Sequence, residues 1–250
     1  MYPGVWAFII ALLVLYWVLQ SRAQTARASV SRVAVFLSGL LLLWIALDWP
    51  IGALGAGYLA SAHMVQFLLI AVAAPPLLLH GLPPYAFEAL ARRRLLLGLL
   101  RLLTHPLVAI AFFNVVLVAT HWPSVVDRLM SYQLGSFALD MAWWLAGLVL
   151  WWPIVAPVPR RPGFGYLYKI GYLILATILN TPAFAWLTFS DLPLYATYEL
   201  APPVTGISTR ADQQIAGLLM KIGGALIFWT AITVLFVRWY QVESGEEARA

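Results

Sequence analysis

The feature that most constrains this chain is a series of seven long apolar runs separated by short polar gaps. Each run is close to the ~20 residues that an α-helix needs to cross a hydrocarbon core of ~30 Å. A chain that is 63% hydrophobic and 10% charged is also too apolar to fold as a soluble domain. The sequence therefore predicts an all-α integral membrane bundle of seven transmembrane helices, with residues 1–250 forming one domain. The predicted helices lie at about 3–20, 30–47, 57–79, 106–121, 134–156, 165–189 and 211–237.

The basic residues occupy alternate gaps between these runs, and this predicts the orientation of the chain. Loops that stay in the cytoplasm carry an excess of Lys and Arg. We therefore expect the N terminus to lie outside and the C terminus inside. The first apolar run is followed, not preceded, by arginines, the reverse of the charge order of a signal peptide. Twelve of the 15 Lys and Arg residues fall on the predicted cytoplasmic side: Arg22, Arg27, Arg32, Arg92, Arg93, Arg94, Arg101, Arg160, Arg161, Lys169, Arg238 and Arg249.

Two segments between the runs carry further structural predictions. Residues 84–104 combine an apolar stripe with clustered arginines, which predicts an amphipathic helix lying on the cytoplasmic membrane surface. Residues 190–210 are too polar to span and long enough to fold over the outer mouth of the bundle. The net charge of +5 resides at helix ends, so lipid is the expected partner and nucleic acid is not.

Few ionisable residues fall within the predicted spans, and most of them share the outer leaflet. The chain has no Cys, which excludes thiolate metal sites and disulfides. Imidazole, carboxylate and thioether groups at one depth could hold copper. Each histidine could also be structural, and Asp140 with Lys221 could be a buried ion pair. The candidate metal ligands are His63, His121, Asp140, Met64, Asp212 and Met220.

No sequence signature of an enzyme is present. The chain contains no Gly-rich phosphate loop, no nucleophile elbow and no zinc-protease motif. We therefore expect a protein that is not an enzyme and has no catalytic residues.

Five short motifs, in order along residues 57–230, resemble the CtaG family of cytochrome c oxidase (caa-type) assembly factors. The first begins at His63 with HMVQ, and APPLL and GLP come after it along the chain. The next two are HWP from His121 and GL to WWP from Gly147. The last two are PLYxxY from Pro193 and DQQxAGxxM from Asp212. The resemblance implies a seven-helix protein of the bacterial plasma (inner) membrane that assists assembly of a haem-copper oxidase.

The chain differs from typical members of that family at three places. Phe67 stands where members carry a second histidine one turn after His63. A stretch containing Asp140 replaces an HxxEH-like element at the start of the fifth helix, and Lys221 replaces a tryptophan. His63 and His121 remain as the histidine candidates, with Asp140 as a third ligand, and an ion pair in place of the metal is the rival interpretation.

The resemblance implies copper delivery or metal-centre insertion at the outer side of the membrane. The implied partners are cytochrome c oxidase subunits and a copper chaperone. The alternative function is a structural accessory subunit of a respiratory complex that binds no metal. A transporter is a third hypothesis, which the lack of an inverted repeat disfavours.

Overall fold

A computed structural model describes residues 3–23, 27–92, 94–155 and 165–247, and almost all of these residues are helical. A stretch of π-helix, Leu68–Ala73, joins α4 to α5 without a break. The α-helices are α1 (Pro3–Arg22), α2 (Val30–Leu47), α3 (Ile51–Gly57), α4 (Ala60–Phe67), α5 (Ala74–Gly81), α6 (Pro84–Ala91), α7 (Arg94–Leu103), α8 (Pro106–Thr120), α9 (Pro123–Met130), α10 (Gln133–Val155), α11 (Tyr166–Leu179), α12 (Thr181–Phe189), α13 (Ala196–Glu199) and α14 (Thr209–Glu247).

The structure confirms the all-α membrane bundle. Within the described ranges, six helical stretches are long and apolar enough to cross a bilayer, and a bent pair of helices brings the number to as many as seven. That pair is α7 with α8, which meet at 76°. The spans begin and end within a few residues of the predicted bounds, except that α14 continues to Glu247. The orientation of the bundle stays a prediction from charge.

The third span runs from Ala60 to Gly81 and is the centre of the bundle. In its apolar 18-residue stretch 67% of the residues are buried inside the protein. The corresponding share is 11% for α1, which lies at the periphery. Pro75 and Pro76 have no N–H to donate to the carbonyls of Ala71 and Val72. Just before the two prolines the backbone forms π-helical hydrogen bonds, and the Ala74 N–H donates to the carbonyl of Leu69. Such π segments are frequent next to functional residues.

The central contact joins α10 to the third span through Gly147. A Cβ on this glycine would collide with the carbonyl oxygen of Ala71 and would lie 2.8 Å from Cγ of Pro75. A hydrogen at position 147 therefore allows the two backbones to approach closely. This contact fixes the depth of α10 against the span that carries His63.

The amphipathic segment predicted at 84–104 is helical and consists of two helices, α6 and α7. Leu95 and Leu102 are exposed on α7 and Leu97 is buried, as expected for a helix that presents an apolar surface to lipid. The steep angle between α7 and α8 is what a surface helix feeding a membrane span requires.

Basic residues from distant parts of the chain gather at one end of the bundle, as the charge pattern requires. His80 lies within electrostatic range of Arg32 and Arg238. Lys169 donates from Nζ to the carbonyl of Ile154 at 2.9 Å. Four arginines used in the orientation prediction lie outside the described residues: Arg93, Arg160, Arg161 and Arg249.

Adding a methyl group at Gly147 should loosen the centre of the bundle. We expect Gly147→Ala to lower the free energy of unfolding by about 1–3 kcal/mol, because backbone atoms of the third span must move to admit the Cβ. Thermal unfolding in detergent measures the effect. Gly171→Ala is the matched control, because a Cβ there meets nothing within 4 Å and alanine favours the helix. Equal melting temperatures for the two variants would contradict the close approach.

Candidate functional site

Two histidines from different helices meet beneath the end of the bundle that is predicted to face outside. The rings of His63 on α4 and His121, which follows α8, have centroids 6.0 Å apart and planes inclined by 61°. The residues expose only 1% and 3% of their surfaces. Both nitrogens of His63 and Nε2 of His121 are buried without a hydrogen bond of normal geometry. The Gly55 carbonyl lies near the His63 ring but is not aligned as an acceptor.

The environment of His121 holds its ring in one tautomer. Nδ1 lies 2.8 Å from the carbonyl oxygen of Leu117, which can only accept, so Nδ1 carries the proton. Nε2 is then left with its lone pair in the protein interior. A histidine fixed in this way through one nitrogen is oriented to bind a cation through the other.

Aromatic rings enclose the histidine pair from the side. The Trp143 indole stacks on His121 with centroids 5.5 Å apart and lies 4.8 Å from His63. Its Nε1–H donates to Oγ1 of Thr120 at 2.8 Å, which fixes the indole plane. Phe67, which follows His63 by one helical turn, packs edge-on against His121 at 5.0 Å between ring centroids. The pair therefore lies in a buried aromatic box.

Two tyrosines of the outer segment close the box from above. The Tyr195 hydroxyl donates to the carbonyl of His121 at 2.9 Å, and the Tyr198 hydroxyl donates to the carbonyl of Gly55 at 2.8 Å. Asp127 on α9 accepts hydrogen bonds from the backbone and hydroxyl of Thr197. The segment 190–210 thus folds over the bundle mouth as predicted, and we call Tyr195 to Tyr198 the tyrosine lid.

The hydroxyls of the tyrosine lid remain donors across the ordinary pH range. Burial raises the pKa of Tyr198 well above its usual value, and the neighbouring Tyr195, Asp212, Asp140 and Asp127 raise it further. Burial, followed by Asp127, also raises the pKa of Tyr195. Both hydroxyls therefore stay protonated, as their bonds to backbone carbonyls require.

Asp212 has a structural task at the start of α4. Its carboxylate accepts the backbone N–H of Ala60 at 2.6 Å and that of Ser61 at 3.3 Å, together with the Ser61 hydroxyl. The first N–H groups of a helix have no partner within the helix, and a negative charge there also suits the helix dipole. Both carboxylate oxygens of Asp212 thus accept hydrogen bonds at the start of α4, and its role as a metal ligand stays a prediction.

Asp140 lies apart from the histidines at the base of an outer cleft. Its Oδ1 accepts Nε2–H of Gln66 at 3.0 Å. Both side chains line a cleft of about 660 Å³ between α1, α3 and the start of α10. Oε1 of Gln66 is buried without a partner. Gln66 follows His63 by one helical turn, so the cleft ends next to the histidine pair without including it.

The predicted ion pair between Asp140 and Lys221 is wrong. Lys221 donates to Oγ1 of Thr181 at 2.8 Å and to the carbonyl of Thr177 at 3.3 Å, and its Nζ lies 5.1 Å from the Phe184 ring centroid. These groups surround the break between α11 and α12, where Pro182 cannot donate to the preceding turn. The ammonium thus serves a helix C terminus, whose partial negative charge it matches.

The two methionine candidates do not join the histidines. Met64 is buried, but successive helical residues are turned by ~100°, so it does not share the face of His63. Met220 lines a small cavity with Lys221 and Phe228, to which neither histidine contributes. Across the described ranges, no group of three or more His, Cys, Asp or Glu side chains is arranged to hold a metal ion. The side chains that could bind a metal ion together are therefore the two imidazoles of His63 and His121.

Three residues of this site were missed as site residues by the sequence analysis. Trp143 lies one turn after Asp140 on α10, and Tyr195 and Tyr198 lie three residues apart, Tyr195 at the N-cap of the short helix α13 and Tyr198 within it. An aromatic residue one turn from a buried acid is too common in membrane helices to single out Trp143. The tyrosine spacing was a usable signal, since both residues lie in a polar outer segment.

The architecture defines a multi-pass helical membrane protein with a buried histidine pair under an aromatic lid. The family model of the cytochrome c oxidase caa3 assembly factor (Caa3_CtaG) matches residues 5–242, and the chain belongs to this family. The match extends beyond the predicted 57–230 and supports an assembly role, which favours a non-catalytic protein. No curated protein and no solved structure gives a significant match.

Removing the Asp212 carboxylate should destabilise the start of α4, because its first N–H groups lose their acceptor. We expect Asp212→Ala to lower the free energy of unfolding by about 0.5–2 kcal/mol, the usual loss for a helix cap. Asp212→Asn should keep most of the stability, because an amide oxygen also caps well. Thermal unfolding in detergent of the metal-free protein tests this. Equal losses for the two variants would show that the oxygen does not act as a cap.

Lys221 should be energetically coupled to Thr181 and not to Asp140. In a double-mutant cycle, Lys221→Met with Thr181→Val should deviate from additivity by about 0.5–3 kcal/mol, because the two side chains touch. Lys221→Met with Asp140→Asn should be additive within about 0.5 kcal/mol. Denaturation in mixed micelles gives the four free energies in each cycle. A coupling to Asp140 as large as that to Thr181 would contradict the assignment.

Proposed function

We propose that this chain is an assembly factor that holds a copper ion between His63 and His121 and releases it to a haem-copper cytochrome c oxidase at the outer side of the membrane. The observation that carries the proposal is the pair of buried imidazoles, whose ring centroids are 6.0 Å apart and each of which has at least one nitrogen without a hydrogen-bond partner. Copper is the cargo of this reaction and not a resident cofactor. Family membership supplies the connection to oxidase assembly.

The spacing of the rings suits a two-coordinate ion. Two nitrogen–metal bonds of ~2.0 Å plus about 1 Å from each ring centre to its nitrogen give a span of about 6 Å. Cu(I) accepts such a pair of imidazoles, whereas Zn²⁺ prefers four ligands. The aromatic walls around the two histidines leave little room for water that would compete for the ion.

Two ligands are also few enough to permit release. An ion held by two imidazoles has open positions for the ligands of an acceptor, so transfer can proceed by ligand exchange. The expected recipient is an oxidase subunit with its metal centre at the same membrane side, and the expected donor is a copper chaperone. The proposed location is the bacterial plasma (inner) membrane.

Copper binding by the purified chain tests the proposal. We expect the wild-type protein to take up about one Cu(I) per chain under anaerobic, reducing conditions, and His63→Gln or His121→Gln to take up almost none, because each removes one of two ligands. Stoichiometry is measured by competition with a chromophoric Cu(I) chelator. His80→Gln is the control, since this exposed histidine lies at the opposite end of its span.

Two outcomes would contradict this function. Full Cu(I) uptake by both histidine variants would place the copper elsewhere. No uptake by the wild-type protein would favour the alternative function, a structural accessory subunit of a respiratory complex. A deletion strain grown with limiting copper separates these functions further, because only loss of a copper factor should leave the oxidase subunits expressed and the oxidase short of copper.

A further inference from the structure

The cleft that ends at Asp140 and Gln66 has no role in the function proposed above. It has a volume of about 660 Å³ and descends about 10 Å along α10, counted at ~1.5 Å per helical residue from Gln133 to Asp140. Most of the residues that line it are apolar or small. Sites for small molecules in proteins are typically cavities of about 300–1,000 Å³ with mainly apolar walls and a few polar groups. The size and the walls of this cleft therefore suit a small molecule.

Contacts between helices hold the walls of the cleft in place. Phe137 on the α10 wall meets Phe8 of α1 edge-on, with ring centroids 6.0 Å apart. Trp6, also on α1, donates from Nε1 to the carboxylate of Asp48 at 2.9 Å. The opposite wall is α3, whose lining residues Gly52–Gly57 are all Gly or Ala and leave the space open. A ligand would thus enter a preformed cavity.

Two buried polar side chains lie at the base of the cleft and have bonding capacity left over. Asp140 exposes 5% of its surface and Gln66 exposes 2%. Oδ1 of Asp140 accepts Nε2–H of Gln66 at 3.0 Å. This contact uses one of the two carboxyl oxygens and leaves Oε1 of Gln66 without a donor. Polar groups of this kind at the end of an apolar cavity fix the orientation of a ligand.

The surroundings of Asp140 favour the neutral carboxylic acid over the carboxylate. An ionised carboxylate in a membrane interior is costly unless a cation compensates it. None of the described residues that line the cleft is basic, and Lys221 is engaged by Thr181 at another place. A neutral carboxyl group has one oxygen that accepts and one O–H that donates. Because Oδ1 accepts from Gln66, Oδ2 carries the hydrogen and can donate it to a ligand.

We infer that this cleft binds a neutral, lipid-soluble molecule whose polar end carries a carbonyl oxygen, which accepts the Oδ2–H of Asp140. The apolar body of the molecule lies between α3 and the Phe137 side of α10. Oε1 of Gln66 is the acceptor for a hydroxyl or N–H group beside the carbonyl. The site is separate from the histidine pair, since neither His63 nor His121 lines the cleft. The inference therefore does not rest on copper binding.

Photolabelling of the full chain in lipid nanodiscs tests the inference. Four probes share a decyl chain with a diazirine and end in a primary amide, a carboxylate, a trimethylammonium group or a methyl group. At equal mole fractions in the bilayer, the amide probe should label α3 and the start of α10 about tenfold more than the methyl probe, because it gains hydrogen bonds at the base of the cleft. Mass spectrometry of the digested chain measures the labelling. Equal labelling by all four probes, or strongest labelling by a charged probe, overturns the inference.

Two substitutions of Asp140 test the role of its side chain. Asp140→Asn keeps a neutral group with a donor and an acceptor, so labelling by the amide probe should stay within about twofold of the wild-type level. Asp140→Leu has no polar atom and should lower this labelling about tenfold. Loss of labelling in both variants, or in neither, overturns the inference.

A second pair of variants covers the case in which Asp140→Leu does not fold. Gly57→Trp fills the cleft without a local clash, since a Cβ at Gly57 meets nothing within 4 Å. Gly171→Trp makes the same substitution on α11, outside the cleft. We expect Gly57→Trp alone to lose labelling by the amide probe. Equal labelling of the two variants overturns the site in the cleft.

Unlabelled competitors show where such a molecule comes from. Neutral glycerolipids and quinones both combine an apolar body with carbonyl oxygens. Dioctanoylglycerol and a decyl-substituted benzoquinone therefore serve as competitors against the amide probe in the same nanodiscs. Displacement by dioctanoylglycerol identifies a glycerolipid as the ligand, and displacement by the benzoquinone identifies a quinone. Displacement by neither compound overturns the inference.

Discussion

The constraint on which the rest of this structure depends is that a bilayer core supplies no water, so each polar group within it needs a partner from the protein. Helix α14 meets this demand twice, with charges of opposite sign. Asp212 binds the free N–H groups at the start of α4, and Lys221 binds the carbonyl end of α11. Each charge matches the local helix dipole. One long helix thus holds two interrupted spans at fixed depth, and the depth of α4 in turn sets the height of His63.

Most of the fold could be predicted, because length and hydropathy decide where a membrane helix begins and ends. What the hydropathy pattern misses is the irregular backbone. The π-helical stretch before Pro75 and the break before Pro182 lie within runs that are apolar throughout. Lipid tolerates such irregularities only where the protein satisfies the freed backbone groups. The outcome therefore depends on side chains from other helices, which a local pattern does not contain.

The sequence predicts how deep each candidate side chain of the site lies in the membrane, but not towards which neighbouring helix it points. His63 and His121 share a leaflet and do meet, whereas Asp140 and Lys221 share that leaflet and do not. Depth follows from counting residues from a helix end, but the azimuth of a side chain depends on how each helix is rotated against its neighbours. That rotation is fixed by contacts such as Gly147 against Ala71. The motifs that resemble the assembly-factor family contain both His63 and His121, whose rings the structure brings to within 6.0 Å of each other.

The tyrosine lid has a consequence for how a protein of this kind can change over evolutionary time. Tyr195 and Tyr198 bind the carbonyl oxygens of His121 and Gly55, not the imidazole rings beneath them. Main-chain oxygens are present whatever residue occupies a position, so replacing a side chain beneath the lid does not remove the anchors of the lid. The side chains that line the box can therefore change while the lid keeps its place. Phe67, which packs edge-on against His121, is one wall residue that is free to change in this way.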